Sequence, residues 1–587
     1  MLNFYDFEVF KYNWLVVIIN PMTKTKEVII DDTERLKKYF YAHEGEIWIG
    51  YNNRRYDQYV MKALLLDMNP KEVNDFIIRD DKPGWMFSSL FNQIKMLNFD
   101  TMLKTDTGLK SLEAFMGNDI RETSVPFDID RPLTREEIEQ TVFYCTHDVE
   151  QTIEVFLARK AEFDAAMGLI KIFNLPLDML GKTGAQRVAK ILGGKGQRFY
   201  NSKGISDEFE FEIVNTLKLN KYKHAAKWYR KTENMDYSQS QIIEVAGLPH
   251  TLAWGGLHGA PGEIQTMKSG KKRIKSAPYY GTGYYIMADV TAYYPSLQMR
   301  YKFGYRNMMY PENFEKIHGE NLRQKALGDK VARLPYKIAD NAISGQLKDP
   351  NSPLYDPREN NAITVNGQLL LVDLLEKLEP YCKLIQSNTD GILIKIKSLK
   401  DYSLIDDIVW EWEQRTGMRM GFDIYTKVYQ KDVNNYLLVG ANGKIKTKGA
   451  YTKALSATDY DLAIVNKALV DYMTKGIPVE VTVNACDDLR MFQKVFKLTS
   501  KYWRAWHNNQ FMREKCYRVF ASTDRKDTFI GKAKEPGSKI DKFANTPDHC
   551  FIDNSGLTDK AIPRKLDRSW YITEAKKRLR QYGVEVI

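Results

Sequence analysis

Residues 283–297 read Gly283-Tyr284-Tyr285-Ile286-Met287-Ala288-Asp289-Val290-Thr291-Ala292-Tyr293-Tyr294-Pro295-Ser296-Leu297. The run from Gly283 to Met287 is aromatic and apolar, with no charge before Asp289, and predicts a buried strand. Pro295 cannot continue a strand ladder but can open a helix at its first position. Asp289 is therefore expected at the tip of a buried strand, with a tyrosine pair just beyond it. A carboxylate in that place costs free energy unless a cation pairs with it, and a divalent metal is one such cation.

A second stretch, Lys383-Leu384-Ile385-Gln386-Ser387-Asn388-Thr389-Asp390-Gly391-Ile392-Leu393-Ile394-Lys395, predicts strand, tight turn, strand. Asp-Gly between two apolar runs is a strong hairpin signal, and it puts Asp390 at the hairpin tip. Each aspartate alone reads as simply a turn former or a solvated charge. Together, Asp-x-x-x-x-Tyr-Pro-Ser at 289–296 followed by Thr-Asp-Gly at 389–391 resembles motifs A and C of the family B DNA polymerases. The resemblance implies that Asp289 and Asp390 are catalytic and bind two Mg²⁺ ions, for which Mn²⁺ can substitute, with the Val290 carbonyl as a further ligand. In such a site one ion lowers the pKa of the primer 3′-OH and the other stabilises the pyrophosphate. It also implies that Tyr294 borders the nucleotide as a steric gate against a ribose 2′-OH. The family's first motif C aspartate is Asn388 here.

The totals agree with a phosphate-rich partner without naming one. Lys plus Arg is 86 against 75 for Asp plus Glu, a net +11 over 587 residues, and a basic surface attracts polyanions. That length corresponds to roughly four domains. The five cysteines, Cys145, Cys382, Cys486, Cys516 and Cys550, have no zinc-ligand spacing. They argue against a structural zinc or a disulfide frame and fit a reducing compartment. No apolar run approaches the length of a membrane span. The N-terminal residues lack the basic and apolar blocks of a signal peptide.

At the N-terminus Leu2 to Phe10 alternates, so Asp6 and Glu8 share one strand face. Trp14 to Ile19, Glu27 to Ile30 and Glu46 to Asn53 predict three more strands, the last running into Asp57. Gln58 to Leu66 and Arg135 to Ala165 have helical periodicity. Each acid alone reads equally well as surface charge. As a set, Asp6/Glu8, Asn53/Tyr56/Asp57 and Tyr144/Asp148 resemble the three motifs of proofreading 3′–5′ exonucleases. In-line phosphodiester hydrolysis uses two divalent ions about 4 Å apart, and hard cations take carboxylate ligands. The resemblance implies a ribonuclease-H-like fold in which Asp6, Glu8, Asp57 and Asp148 hold two Mg²⁺. Tyr144 would orient the water and Asn53 would touch the DNA strand. Lys110, in Gly108-Leu109-Lys110-Ser111-Leu112-Glu113, would neutralise the scissile phosphate or, more plainly, be a solvated lysine opening a helix.

Farther on, Trp254-Gly255-Gly256 resembles the family's Tyr-x-Gly-Gly element, with Ala253 where the tyrosine would stand. Gly255 and Gly256 would let backbone approach DNA closely, or simply make a turn. Leu334 to Gly345 resembles motif B. Lys337 and Asn341 lie four apart on one helix face, Lys337 to hold the incoming triphosphate and Asn341 to sit by the nascent base pair. Ala342 and Ser344 depart from the family's Ser and Tyr, and Pro335 is expected in the first turn of that helix. Arg323, Lys325 and Lys330 are further candidates for phosphate contact. Positions 289 and 337 are only 48 apart, which leaves no room for the insertion that holds the terminal protein in protein-primed bacteriophage polymerases. Short fingers and ordinary primer extension are expected. After motif C, Tyr436 matches part of the family's Lys-x-Tyr. Lys446 and Lys448 alternate on a strand that either grips the primer or is a solvated edge.

The ordered motifs, from Asp6 to about Gly449, imply an α/β and α+β multidomain chain: a ribonuclease-H-like exonuclease domain followed by a palm/fingers/thumb right-hand polymerase. The expected divisions are exonuclease 1–165, a connecting helical region 166–250, palm 251–310, fingers 311–350, palm 351–455, and thumb or C-terminal region 456–587. The implied function is template-directed DNA synthesis from dNTPs with 3′–5′ proofreading. One alternative is a basic nucleic-acid-binding protein that keeps its exonuclease beside a decayed polymerase site; another is a protein-primed polymerase. The implied partners are primer-template DNA, dNTPs and replisome or processivity proteins, with no membrane. The expectation is a monomer in the cytoplasm, that of the host cell if the chain is viral, and the lean length resembles bacteriophage members.

Overall fold

The computed structural model describes residues 1–198 and 208–585. The chain forms two compact units. Met1–Thr183, Ala454–Val465 and Val483–Ile572 make the first; Gly184–Lys453, Asn466–Thr482 and Thr573–Ile587 make the second. The expected connecting region 166–250 thus begins in one unit and continues in the other, and its residues 199–207 lie outside the described residues.

The first unit is built on a five-stranded sheet in the order Thr25–Ile30, Trp14–Asn20, Leu2–Val9, Ile47–Gly50, Leu97–Asp100. The first three strands are antiparallel, and the last two join in parallel. Both faces are covered, so the central strand Leu2–Val9 is apolar on both. Tyr5, Phe7 and Val9 pack with Trp48, Val60 and Met61 on one side. Phe4 packs with Cys145, Val149 and Phe156 of the helix Arg135–Ala158 on the other. Asp6 and Glu8 follow Phe4 at strand period, so they face that helix. Thr134 caps it with a full capping box, its side chain accepting from the Glu137 N–H while Glu137 reaches back.

The segment expected as one helix to Ala165 is two: it stops at Ala158, and a second helix runs Lys160–Ile172. Arg159 stands at the break, its guanidinium bound to the Thr101 carbonyl at 2.9 Å and to Asp106 at 2.7 and 2.8 Å. The segment 456–587, expected as a thumb, is divided. Val483–Ile572 belongs to the first unit, where Arg518 donates to the Ala114 and Asn118 carbonyls at 3.1 and 2.7 Å. The Glu122 carboxylate accepts from the Lys515 and Cys516 amides.

The second unit holds a nine-stranded sheet, antiparallel at every pairing: Ile445–Lys448, Asn435–Val439, Met420–Asp432, Tyr279–Val290, Gly391–Ile396, Lys383–Asn388, His258–Gly259, Leu248–Ala253, Ser240–Val245. It starts before position 251, because Ala246 and Gly247, both at positive φ, close a tight hairpin. The helix Pro357–Leu378 is buried nearly throughout, and Trp412 donates to its Leu370 carbonyl at 2.9 Å. Pro311–Leu327 and Lys330–Lys348 form a helical hairpin. Gly328 closes the first helix at φ 72, and the Asp329 carboxylate caps the second. Pro335 lies inside that second helix, not in its first turn. The donor it lacks would have met the carbonyl of Val331, a residue 85 % exposed that water can reach. Among the described residues, no helix is long and apolar enough to cross a membrane.

Candidate active sites

In the first unit four carboxylates converge on the sheet face beneath the helix Arg135–Ala158. Asp6 and Glu8 come from the central strand. Asp57 opens the helix Asp57–Leu65, and the Phe7 amide donates to its carboxylate at 3.1 Å. Asp148 comes from the covering helix. Glu8, Asp57 and Asp148 are 6, 3 and 8 % exposed. Burial, followed by repulsion from the neighbouring carboxylates, pushes Asp6 and Glu8 well above the usual range. Burial pushes Asp57 up to about 7. It pushes Asp148 up to about 6 although Lys110 pulls the other way. Four acids this close and this dry disfavour full ionisation unless cations join them. Carboxylate oxygens are the donors a hard divalent ion takes, so the residues fit Mg²⁺.

Lys110 enters the same cluster from the helix Leu109–Met116. Its ammonium ion-pairs with Asp148 and with Glu113, the latter at 3.0 Å, and lies 4.6 Å from the centre of the Tyr144 ring. Tyr144 and Asp148 sit one helical turn apart, and burial pushes the phenol far up, so it stays a neutral donor. Two residues join that the motifs did not name. Glu113 is fully buried and stands 3.5 Å from His147; together with Asp148 these side chains bring ligand atoms within 4.8 Å of one another. Their signal was spacing: Glu113 is one turn after Lys110, and His147 adjoins Asp148. Cys145 is a buried thiol that donates to the Asp6 carbonyl at 3.4 Å, its pKa raised by burial. Asn53, expected at the DNA, is 0 % exposed and instead donates to Asn98 at 2.8 Å and to the Phe99 carbonyl at 3.1 Å. It is a core residue that ties the loop before Asp57 to the neighbouring strand.

In the second unit the strand Tyr279–Val290 places Asp289 opposite Gly391, the residue after Asp390. The Val290 amide donates to the Asp390 carbonyl at 2.7 Å. The two aspartates from distant motifs therefore meet. A side chain on Gly391 would lie 2.2 Å from the Asp289 carboxylate, which is why glycine follows Asp390. Desolvation at the hairpin tip, then Asp289, raises the Asp390 pKa, while Lys448 and Lys446 oppose the shift. Lys446, on the edge strand, ion-pairs with Asp289. The carboxylates offer oxygen donors for divalent ions here too, but with basic neighbours already present. Asn388 is buried and donates to the Val433 carbonyl at 3.2 Å, a bond that an aspartate could not make.

Beside Asp390 opens a cleft of about 390 Å³ lined by Tyr294, Lys325, Lys337, Asn341 and Ser344, and by Arg333, which the motifs missed. Arg333 is four residues before Lys337, so the spacing that pairs helix neighbours could have found it. It donates to Asn321 at 2.9 Å; Asn321 donates at 2.7 Å to Asp340, which is fully buried and also meets His318 at 3.0 Å. That buried network holds the two helices of the hairpin in register. Ala292, at φ 47 and ψ 53, turns the chain from the Asp289 strand into the helix that carries Tyr294; a left-handed alanine costs roughly 1 kcal/mol. Burial and then Asp390 push the Tyr294 phenol up to about 12.

Other expected contacts lie elsewhere. Arg323 pairs with Glu320 at 2.8 Å outside the cleft lining, and Lys330 is exposed at the start of its helix, also outside it. Tyr436 is 4 % exposed, packed with Tyr285, Met287 and Leu393, so it supports the Asp289 strand from within the core. A side chain on Gly256 would lie 2.3 Å from the Thr389 hydroxyl; that glycine lets the loop pack on the motif C turn, whereas Gly255 faces open space.

No family model matches the chain, and no curated protein matches it. One solved structure it resembles is the family B DNA polymerase from the hyperthermophilic archaeon Pyrobaculum calidifontis, at 13% sequence identity and a TM-score of 0.43, covering 100% of this chain and 78% of that one.

Proposed function

We propose that this chain is a DNA-directed DNA polymerase of the family B kind with a 3′–5′ exonuclease site in its other compact unit. The observation that carries the reading is the junction of Asp289 and Asp390 beside a cleft lined by Lys325, Arg333, Lys337, Asn341 and Tyr294. Two acids from distant segments, next to three cations and a flat ring, suit a nucleoside triphosphate. Lys325, Arg333 and Lys337 bind its phosphates and offset the charge that builds on them during transfer. Tyr294 closes the sugar side and excludes a 2′-OH. Asn341 and Ser344 border the base. Asp289 and Asp390 would hold Mg²⁺, which would supply activation of the primer 3′-OH and charge stabilisation for the leaving pyrophosphate.

In the first unit Asp6, Glu8, Asp57 and Asp148 would hold a further pair of ions. Tyr144, a buried neutral phenol, would donate to the attacking water, and Lys110, ion-paired with Asp148 and Glu113, would offer its charge to a phosphate. The helical hairpin Pro311–Leu327 and Lys330–Lys348 leaves no insertion for a priming protein, which favours extension of a nucleic-acid primer. The hydrogen bond from Asn388 to the Val433 carbonyl gives that departure from the family's pattern a structural role in the hairpin. The test is primer extension on a DNA template with Mg²⁺ and dNTPs, run beside 3′-end degradation without dNTPs. Template-dependent extension and dNTP-suppressed degradation are the expected results. Degradation without extension would leave a nuclease and remove the polymerase reading.

A further inference from the structure

Lys325 lines two clefts of the second unit. Besides the one next to Asp390 there is another, of about 600 Å³, bordered by Thr291, Ser296, Arg300, His318, Lys325 and Arg419. No carboxylate lines it among the described residues. The Arg300 guanidinium makes no hydrogen bond or ion pair among the described residues; its stem rests on Gly417, where a side chain would come within 2.9 Å of Arg300 Cδ and Nε. Arg419 is 73% exposed at its side chain, with Glu413 3.4 Å away. Its backbone carbonyl accepts from the Thr291 amide at 2.8 Å, which ties this wall to the residues that follow Asp289. The Lys325 ammonium lies 3.3 Å from the Thr291 hydroxyl. His318 contributes a ring whose Nδ1 is engaged by buried Asp340.

Three exposed cations, Arg300, Lys325 and Arg419, ring one concavity backed by Met299 and Leu322; they repel one another and focus a positive potential into it. Guanidinium groups grip phosphate oxygens with paired donors, so an unpaired arginine on such a wall suits an oxyanion of the phosphate type. Nucleotide addition produces one. The primer 3′-OH gives up its proton to water, its oxygen bonds to the α-phosphorus, the bond from that phosphorus to the bridging oxygen breaks, and the pyrophosphate leaves with the electron pair. It leaves from a cleft whose lysine, Lys325, also lines the second cleft.

We infer that the cleft at Arg300 and Arg419 is a pyrophosphate-binding site adjoining the nucleotide cleft but separate from it, a way station for the product across a shared wall of Thr291, Leu322 and Lys325. This rests on the polymerase reading for its biological role, though the binding itself can be tested without it. The probe is inorganic pyrophosphate, titrated calorimetrically into the full chain and into Arg300→Gln/Arg419→Gln, with Arg300→Lys/Arg419→Lys as the charge-retaining control. Thermal unfolding checks that each variant is folded.

The glutamine pair is expected to weaken pyrophosphate binding at least about tenfold, as loss of one or two charge-assisted hydrogen bonds should, and the lysine pair to recover part of it. In primer extension the same glutamine pair should raise the inhibition constant of added pyrophosphate by a similar factor and leave the KM for dNTP within about twofold. Pyrophosphate binding unchanged by the glutamine pair overturns the site. A dNTP KM that rises in step with the inhibition constant overturns its distinctness from the nucleotide cleft. Arginine-dependent pyrophosphate binding by a chain that extends no primer would keep the anion site and remove the polymerase reading.

Discussion

The two acidic sites solve one electrostatic problem in opposite ways. In the first unit four carboxylates crowd under a helix with one lysine among them, and burial drives their pKa values up. In the second, two aspartates stand at strand and hairpin ends with Lys446 and Lys448 close by and three more cations lining the neighbouring cleft. The first arrangement is incomplete without added positive charge. The second is partly neutralised by its own side chains and brings its spare cations to where a triphosphate would lie. On the proposed reading, the first would be a nuclease site that must hold its metals by itself and the second a transferase site whose substrate brings charge with it.

The largest expected effect separates the two. Asp390→Ala should lower primer extension by at least about 10³-fold, the scale of losing transition-state charge stabilisation, and leave 3′-end degradation unchanged. Asp6→Ala with Glu8→Ala should do the reverse. Loss of both activities from either variant would break the comparison. Next comes Lys110→Ala, expected to lower the degradation rate about 10²-fold with little change in extension; an unaltered rate would make Lys110 only a structural partner of Glu113. A smaller shift is expected from Tyr294→Val, which should raise ribonucleotide use relative to deoxyribonucleotide by roughly 10–100-fold. Unchanged sugar selection measured by competitive incorporation would move the gate elsewhere in the cleft.

The smallest effect is on stability, and its sign follows from the raised carboxylate pKa values. A carboxyl whose pKa is higher folded than unfolded holds its proton in the native state after the unfolded chain has lost it. Its stabilising contribution is complete below about pH 4 and falls as pH rises through the folded values, about 7 for Asp57 and about 6 for Asp148. Metal-free protein should therefore unfold at a lower temperature at pH 8 than at pH 5, by something on the order of 5 °C. Mg²⁺ should recover more of the loss at pH 8. Scanning calorimetry in chelator and in Mg²⁺ reads both, and equal Mg²⁺ stabilisation at the two pH values would show that these acids do not titrate as their burial implies.

Local pattern alone carried much of this protein. Strand period put Asp6 and Glu8 on one face. The Asp-Gly step put Asp390 at a hairpin tip, and four-residue spacing put Lys337 and Asn341 on one side of a helix. These are short-range consequences of pleat, turn and helical pitch, which neighbouring residues dictate. Only tertiary structure decided which of those faces meet and which are covered. Asn53 and Tyr436 carry polar groups that suit an interface, yet packing from strands distant in sequence buries them. Arg333 rather than Arg323 reaches the cleft because a buried His318–Asp340–Asn321 network sets the rotation of one helix against the other. Lys446 finds Asp289 across two intervening strands whose order no local window contains, and Val483–Ile572 joins the first unit through bonds to residues several hundred positions away. Sequence specifies which chemistry each element carries; the burial of apolar faces against one another, a property of the whole folded chain, decides which of that chemistry is brought together.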